Sequence, residues 1–182
     1  DLAKKSEVGE VLVATPDKEI YEVVKKSGGS SYLSTKNHET GTDRVFEAFE
    51  KFYSSKPKFI INLQGDMPNL DFNSIVQLSK YMKSDVCDIA TLASSIKTND
   101  EINDKNIVKA ISKDNIEKSG FSEAVDFSRD IINTKNKFIY HHIGIYAFTS
   151  KALMRYVNLK RSRLETERSL EQMRLLENKM NI

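Results

Sequence analysis

The sequence predicts an α/β fold built on a mixed, mostly parallel sheet. Three observations carry the prediction. Short, β-branched apolar runs recur at regular intervals, segments of helical periodicity lie between them, and the second half is richer in strands than the first. Alternation of strand and helix argues for parallel strands joined by crossover helices, with helices on both faces. The strand-rich second half argues that some strands run against the others.

The elements follow in order. "DLAKKSEVGE" (1–10) reads as the tail of a helix running into the strand "EVLVAT" (10–15). "DKEIYEVVKKSG" (17–28) is helical, with Ile20, Val23 and Val24 on one face and a glycine at its end, a common C-terminal cap. After the turn Gly28-Gly29 comes a short extended piece, "SSYLST" (30–35). "TDRVFEAFEKF" (42–52) has Thr42 as its N-cap and Val45, Phe46, Phe49 and Phe52 as its apolar stripe. "KFIINLQ" (58–64) is a strand, apolar at four of the five positions 59–63, as expected of a strand covered on both faces. "DFNSIVQLSKYMKS" (71–84) is a helix with Ile75, Leu78 and Met82 on one side. "CDIATLASSI" (87–96), "NIVKAI" (106–111), "AVDFS" (124–128) and "YHHIGIYAF" (140–148) are strands, with "ISKDNIEKSG" (111–120) a turn between two of them. "RLETERSLEQMRLLEN" (163–178) is the last and longest helix. No repeat or linker interrupts the pattern, so residues 1–182 read as a single domain.

Composition narrows the function. At 39% hydrophobic and 30% charged residues, the chain has what a globular core requires. With 28 basic against 26 acidic residues, and no basic run beyond "NLKRSR" (158–163), there is no electrostatic case for a nucleic-acid partner. No apolar run approaches the roughly 20 residues of a membrane span, and no signal peptide is visible. The expected location is the cytoplasm. Cys87 is the single cysteine; its setting, "DVCDIATLA", reads as a small core residue.

Five stretches carry candidate chemistry. "FIINLQGDMP" ends a buried strand in Gln64-Gly65-Asp66, and ligands of open α/β sheets bind at the carboxyl ends of strands. Asp66 is either a hard oxygen ligand for Mg²⁺ already carrying phosphate, or part of a turn before Pro68. In "HETGTDR" (38–44), Gly41 and Thr42 at a helix start offer free N–H groups and a positive dipole end, with Arg44 in reach of a phosphate or a base; the alternative is plain capping. In "YHHIGIYAF", His142, Gly144, Tyr146 and Phe148 share one face, leaving a gap at the glycine between an imidazole and a phenol that suits a hydroxylated ligand. His141, Ile143, Ile145 and Ala147 form the other, core-like face. In "VDFSRD", Arg129 follows a strand and would either fork onto a carboxylate ligand or pair with Asp126 or Asp130. In "SLEQMR", Glu171 and Gln172 lie on a helix beside the apolar arc of Leu170, Met173 and Leu176, and taken singly read as solvated.

Taken together, "VLVATPDKEI", "HETGTDR", "INLQGDMP", "NIVKAI", "FSRD", "HHIGIYAF" and "SLEQMRLLEN" resemble, in order and nearly in spacing, the 3-deoxy-manno-octulosonate cytidylyltransferases (CMP-KDO synthetases), and the match spans nearly the whole chain. Those enzymes show S-G-T-D-R, Q-G-D-E-P, F-S-R, R-H-I-G-I-Y and L-E-Q-L-R. The resemblance implies a Rossmann-like nucleotidyltransferase that joins CTP to the sugar acid KDO, giving CMP-KDO and pyrophosphate for lipopolysaccharide synthesis. It implies Mg²⁺ as cofactor, with Asp66 as ligand. Arg129, His142, Tyr146, Glu171 and Gln172 would surround the sugar acid, and Thr42, Arg44 and Gln64 would lie on the nucleotide side. Asp66 and Arg129 would be the catalytic pair. The family tends to dimerise, and "SKALMRYVNLKRSRLE" (150–165) is the expected contact surface.

The departures from the family pattern also set expectations. Met67 stands where the family has glutamate, and "FSRDIIN" replaces F-S-R-x-P-I-P, with a shorter connection to "YHHIGIY". The family's first strand with its loop R-x-x-S-T-R-x-P-G-K, and its second metal-binding aspartate, are not among these residues, so both ends read as truncated and residues 1–182 alone are expected to be inactive and poorly soluble. The other readings are a cytidylyltransferase for a related sugar acid, and a non-catalytic domain that binds a nucleotide or a sugar acid.

Overall fold

The computed structural model describes residues 2–130 and 138–182. In chain order these form α1 (Leu2–Lys5), β1 (Leu12–Thr15), α2 (Lys18–Lys26), β2 (Ser30–Leu33), α3 (Gly41–Phe52), β3 (Phe59–Asn62), α4 (Phe72–Lys83) and β4 (Ile89–Ser95). They continue with α5 (Asn99–Asn103), β5 (Lys109–Ser112), α6 (Ile116–Ser119), β6 (Ala124–Ser128), β7 (Ile139–Thr149), α7 (Ser150–Val157), α8 (Arg163–Arg168) and α9 (Met173–Glu177).

β1 and β2 pair in parallel, with α2 as the crossover between them. The other five strands form a second sheet in which every pairing among the described residues is antiparallel. The expected mostly parallel sheet is therefore corrected. The reason lies in β7. Helical crossovers make β3 and β4 run the same way, as the alternation implies, but these strands are not hydrogen-bonded to each other; β7 runs against both and pairs with each. A crossover helix fixes the direction of the next strand and not its neighbour.

The registers locate a break in the sheet. β4 pairs with residues 140–148 of β7, β3 with 146–149 and β5 with 139–141. Since β4 overlaps both of the others, β3 and β5 share the opposite edge of β7, one at each end. Asn62 faces Tyr146, and His142 N donates to Val108 O at 2.8 Å. Between these points, residues 143–145 have no ladder partner on that edge among the described residues. There the C-terminal end of β3 and the start of β5 part. On the β4 side the register shifts at the same place: Thr91 faces Tyr146 and Leu92 faces Ile143, so Gly144 and Ile145 form a bulge.

The alternation of β7 feeds two apolar cores, one on each face. Ile145 and Ala147 pack with Ala90 and with Leu78 and Met82 of α4. Tyr146 and Phe148 pack with Phe49 of α3, with Ala152, Leu153 and Tyr156 of α7, and with Met173 and Leu175 of α9. Cys87 packs at the edge of the α4 core, as expected, and burial pushes its thiol pKa up.

Three helical expectations change. α3 starts two residues earlier than expected, since its cap is Thr40, whose Oγ1 accepts from Asp43 N at 3.2 Å; Thr42 is buried in the first turn instead. α2 turns Tyr21 and Val24 inward and leaves Ile20 and Val23 exposed. The long helix expected over 163–178 is two short helices, because Ser169 takes a left-handed conformation (φ 53°) and Leu170 N closes back onto Glu165 O. Residues 150–157, read only as a surface, form α7, capped by Thr149 and buried against β7.

Candidate active site

Of the predicted residues, Thr42, Tyr146, Glu171 and Gln172 share one seam, with His142 against Tyr146 and Gln64 beside the start of α3; Asp66 and Arg129 make no hydrogen bond to this group among the described residues. Beyond Asn62, the chain of β3 continues past β7 through Gln64, Gly65 and Asp66, and Met67 then lies over the bulge: a Cβ on Gly144 would sit 3.5 Å from Met67 Cε. The expected open gap at Gly144 is thus closed from the side of Met67. On the other face the imidazole and phenol meet directly, with Tyr146 Oη 3.2 Å from His142 Nε2. Thr91 Oγ1 is 3.0 Å from the same nitrogen and donates its own proton to Ile145 O at 2.7 Å. His142 is buried edge-on against Phe127. Burial, reinforced by His141, pulls its pKa from 6.5 down to about 4, so the ring is neutral at physiological pH. Burial likewise pushes the Tyr146 hydroxyl well above its ordinary range, with Glu171 adding to the effect. It therefore stays a neutral donor.

The start of α3 meets this pair from above. Asn62 Nδ2 donates to Thr42 Oγ1 at 3.3 Å, and Thr42 Oγ1 lies 3.2 Å from each carboxylate oxygen of Glu171. Gln64 lies across the helix start, 3.5 Å from where a Cβ on Gly41 would be. Thr42, Tyr146, Phe148, Tyr156, Glu171, Gln172 and Leu175 line a common seam that has no room for a water molecule. Glu171 and Gln172 are brought there by the break after α8, and Gln172 is buried, so neither is the solvated helix residue its sequence context alone implies. Burial raises the pKa of Glu171, against the opposing pull of hydrogen bonds from Thr42 and Thr40. Among the described residues two side-chain polar atoms are buried without a hydrogen-bond partner, Arg44 Nε and Tyr156 Oη. Buried orphans of this kind mark places where a ligand or a second arrangement supplies the partner.

Arg129 lies across the break, just after β6. Its Nη1 donates to Lys105 O (3.2 Å) and Asn106 O (3.3 Å). It forms neither of the surface pairs weighed for it: Asp126 is bound by Arg168 at 2.6 Å and Asp130 by Lys105 at 3.0 Å. The replaced stretch "IIN" after Asp130 falls outside the described residues.

Asp66 is exposed on the turn after β3. No group of three or more His, Cys, Asp or Glu side chains among the described residues is arranged to hold a metal by itself. A single free carboxylate is what Mg²⁺ uses when water and substrate phosphates fill the rest of its octahedron, so the donor set fits an ion that arrives with a nucleotide.

Asn62, Thr91 and Tyr156 also stand at this site and were not among the residues expected from the sequence. Asn62 had one signal: it is the lone polar residue in the strand "FIINL".

The whole chain, residues 1–182, matches a family model described as cytidylyltransferase. It is 35% identical over 181 residues to the 3-deoxy-manno-octulosonate cytidylyltransferase of Bartonella bacilliformis, covering 99% of this chain and 74% of that protein. It is 38% identical over 196 residues to the enzyme of the same name from Thermodesulfovibrio yellowstonii, with the same coverage of 99% and 74%. The structure superposes on that of a CMP:2-keto-3-deoxy-manno-octonic acid synthetase complexed with CTP, with a TM-score of 0.83, 33% identity, and coverage of 96% of this chain and 70% of that one.

Proposed function

The chain belongs to the cytidylyltransferase family, and from that premise we propose that it transfers CMP from CTP to 3-deoxy-D-manno-octulosonate. The products are CMP-KDO and pyrophosphate, and the activated sugar serves lipopolysaccharide synthesis. The observation that carries this reading is the meeting of Thr42, Tyr146, Glu171 and Gln172, from three distant parts of the chain, at the break in the sheet. These are the residues that the motif match puts around the two substrates. The βαβ unit of β1, α2 and β2 supports the Rossmann-like assignment.

In the reaction the anomeric hydroxyl oxygen of KDO forms a bond to the α-phosphorus of CTP. The bond from that phosphorus to the bridging oxygen breaks, pyrophosphate leaves, and the hydroxyl proton is released. Such transfers depend on positioning and charge neutralisation rather than on a protein nucleophile. Asp66 would hold Mg²⁺, which when bound neutralises phosphate charge and orients the phosphates. The start of α3, with Thr42, Arg44 and Gln64, would face the nucleotide, where free N–H groups and the helix dipole favour anions. Neutral His142 and Tyr146, with Glu171 and Gln172, would hydrogen-bond the sugar hydroxyls, and Arg129 would bind the sugar carboxylate. A second copy of the chain docking along residues 150–165 would give the homodimer.

Asp66→Asn tests the metal role. The variant keeps the fold, because the side chain is exposed, and loses at least a hundredfold in kcat with CTP and KDO at ordinary Mg²⁺. Near-normal turnover would return the residue to a simple turn.

A further inference from the structure

Lys109, the first residue of β5, is 2% exposed. Its Nζ donates to Asp104 O at 2.6 Å and to Arg129 O at 2.8 Å. Arg129 in turn sends Nη1 to the carbonyls of Lys105 and Asn106. Two cationic side chains thus cross between the same two pieces of backbone, the segment 104–106 and Arg129, the residue that follows β6. Lys109 is paired in register with Ser128 on one side and with His141 on the other, and the residue before it accepts the His142 amide. The brace therefore stands at the rim of the break, one residue along β7 from His142 and, by strand alternation, on the other face of the sheet from its imidazole.

A buried ammonium is costly unless something compensates its charge. Lys109 meets two neutral carbonyls and makes no ion pair within 4 Å among the described residues. The nearest acidic groups, Asp104 and Asp130, act on it only from a distance. Holding the two segments requires hydrogen-bond donors and not a charge, because every acceptor in the brace is a neutral carbonyl. A buried cation that meets carbonyls but no carboxylate, beside an arginine, suits a place where an anion is received.

We propose that Lys109 is a positioning residue for the anionic sugar acid: it fixes the backbone that presents Arg129, and its charge adds to the field that holds the substrate carboxylate. This rests on the reading that Arg129 lies on the sugar-acid side of the site.

The test compares Lys109→Met, Arg129→Ala and the double variant in the natural protein, with KM for KDO and for CTP measured separately. Lys109→Met is expected to raise the KDO KM at least tenfold and to leave the CTP KM within twofold. In the Arg129→Ala background the same substitution is expected to add less than threefold, because the two side chains act through one carboxylate site. Equal changes in both KM values, full additivity, or a loss of thermal stability with unchanged KM values would overturn the proposal. If Lys109→Met does not fold, Lys109→Gln, which keeps amide donors without the charge, is read by the same criteria. Arg129→Ala alone separates the two levels. If it leaves the KDO KM unchanged, the sugar-side reading fails; if it raises that KM while the Lys109 variants do not, only the role of Lys109 fails.

Discussion

His142 shows how far one residue can be read from sequence. Strand alternation puts it on the same face as Tyr146, and the two do meet. The bulge at Gly144 and the closure by Met67 were not legible, because both depend on partners far along the chain. Lys109 was hidden for a related reason. In "NIVKAI" a lysine reads as the solvent side of a half-buried strand, and its partners at 104 and 129 come together only when β5 and β6 pair. The burial of His142 carries a consequence for stability. Its folded pKa of about 4 lies below the ordinary 6.5, so the unfolded chain binds the proton more readily. This contribution is complete above pH 6.5 and is lost as pH falls through the window from 6.5 to 4, amounting to about 3 kcal/mol at most. His142→Gln is expected to flatten the acid branch of the stability curve in that window, as read by urea midpoints at pH 7 and pH 4.5. An unchanged acid branch would mean that the ring titrates normally in the fold.

At the scale of elements, α3 is held by its own preceding loop. Glu47, buried in its second turn, accepts from Ser34 Oγ at 2.6 Å, from Tyr32 Oη at 3.2 Å and from Thr35 Oγ1 at 3.3 Å, and lies 2.6 Å from His38 Nε2. Burial alone would raise its pKa, but the bonds from Ser34, His38 and Tyr32 outweigh this and pull it down to about 2. The loop so pinned leads into Thr40, Gly41 and Thr42, the proposed nucleotide side. Glu47→Ala is expected to cost about 3 kcal/mol, as seen when one partner of a buried charged network is removed. It is also expected to raise the CTP KM more than the KDO KM. A stability loss below about 1 kcal/mol would show that the network is not fully formed in solution. This hub could not be read in the sequence, where Glu47 is an ordinary polar residue of an amphipathic helix. Helix existence was easier to read than helix faces: 17–28, 42–52 and 71–84 all formed within two residues of expectation, because their apolar residues recur at helical spacing between capping signals. The segment 163–178 also has a continuous stripe, and periodicity alone cannot register a single left-handed residue such as Ser169.

For the whole molecule, β7 is the common member. It pairs with three strands and supplies side chains to both cores, and the candidate site lies where its edge is left open between β3 and β5 among the described residues. Strand positions were legible from local pattern. Strand order was not, since alternation fixes directions but pairing with β7 is decided by contacts across most of the chain. The candidate residues were named from an ordered set of motifs, and the fold brings the stretches near 42, 142 and 171 together. The central claim is that this constellation joins CTP to the sugar acid. Its most direct test is pyrophosphate release by the natural protein with Mg²⁺, CTP and KDO, each omitted in turn. The account predicts release that requires all three and equals the CMP-KDO formed. Release without KDO, or none with all three present, would contradict it.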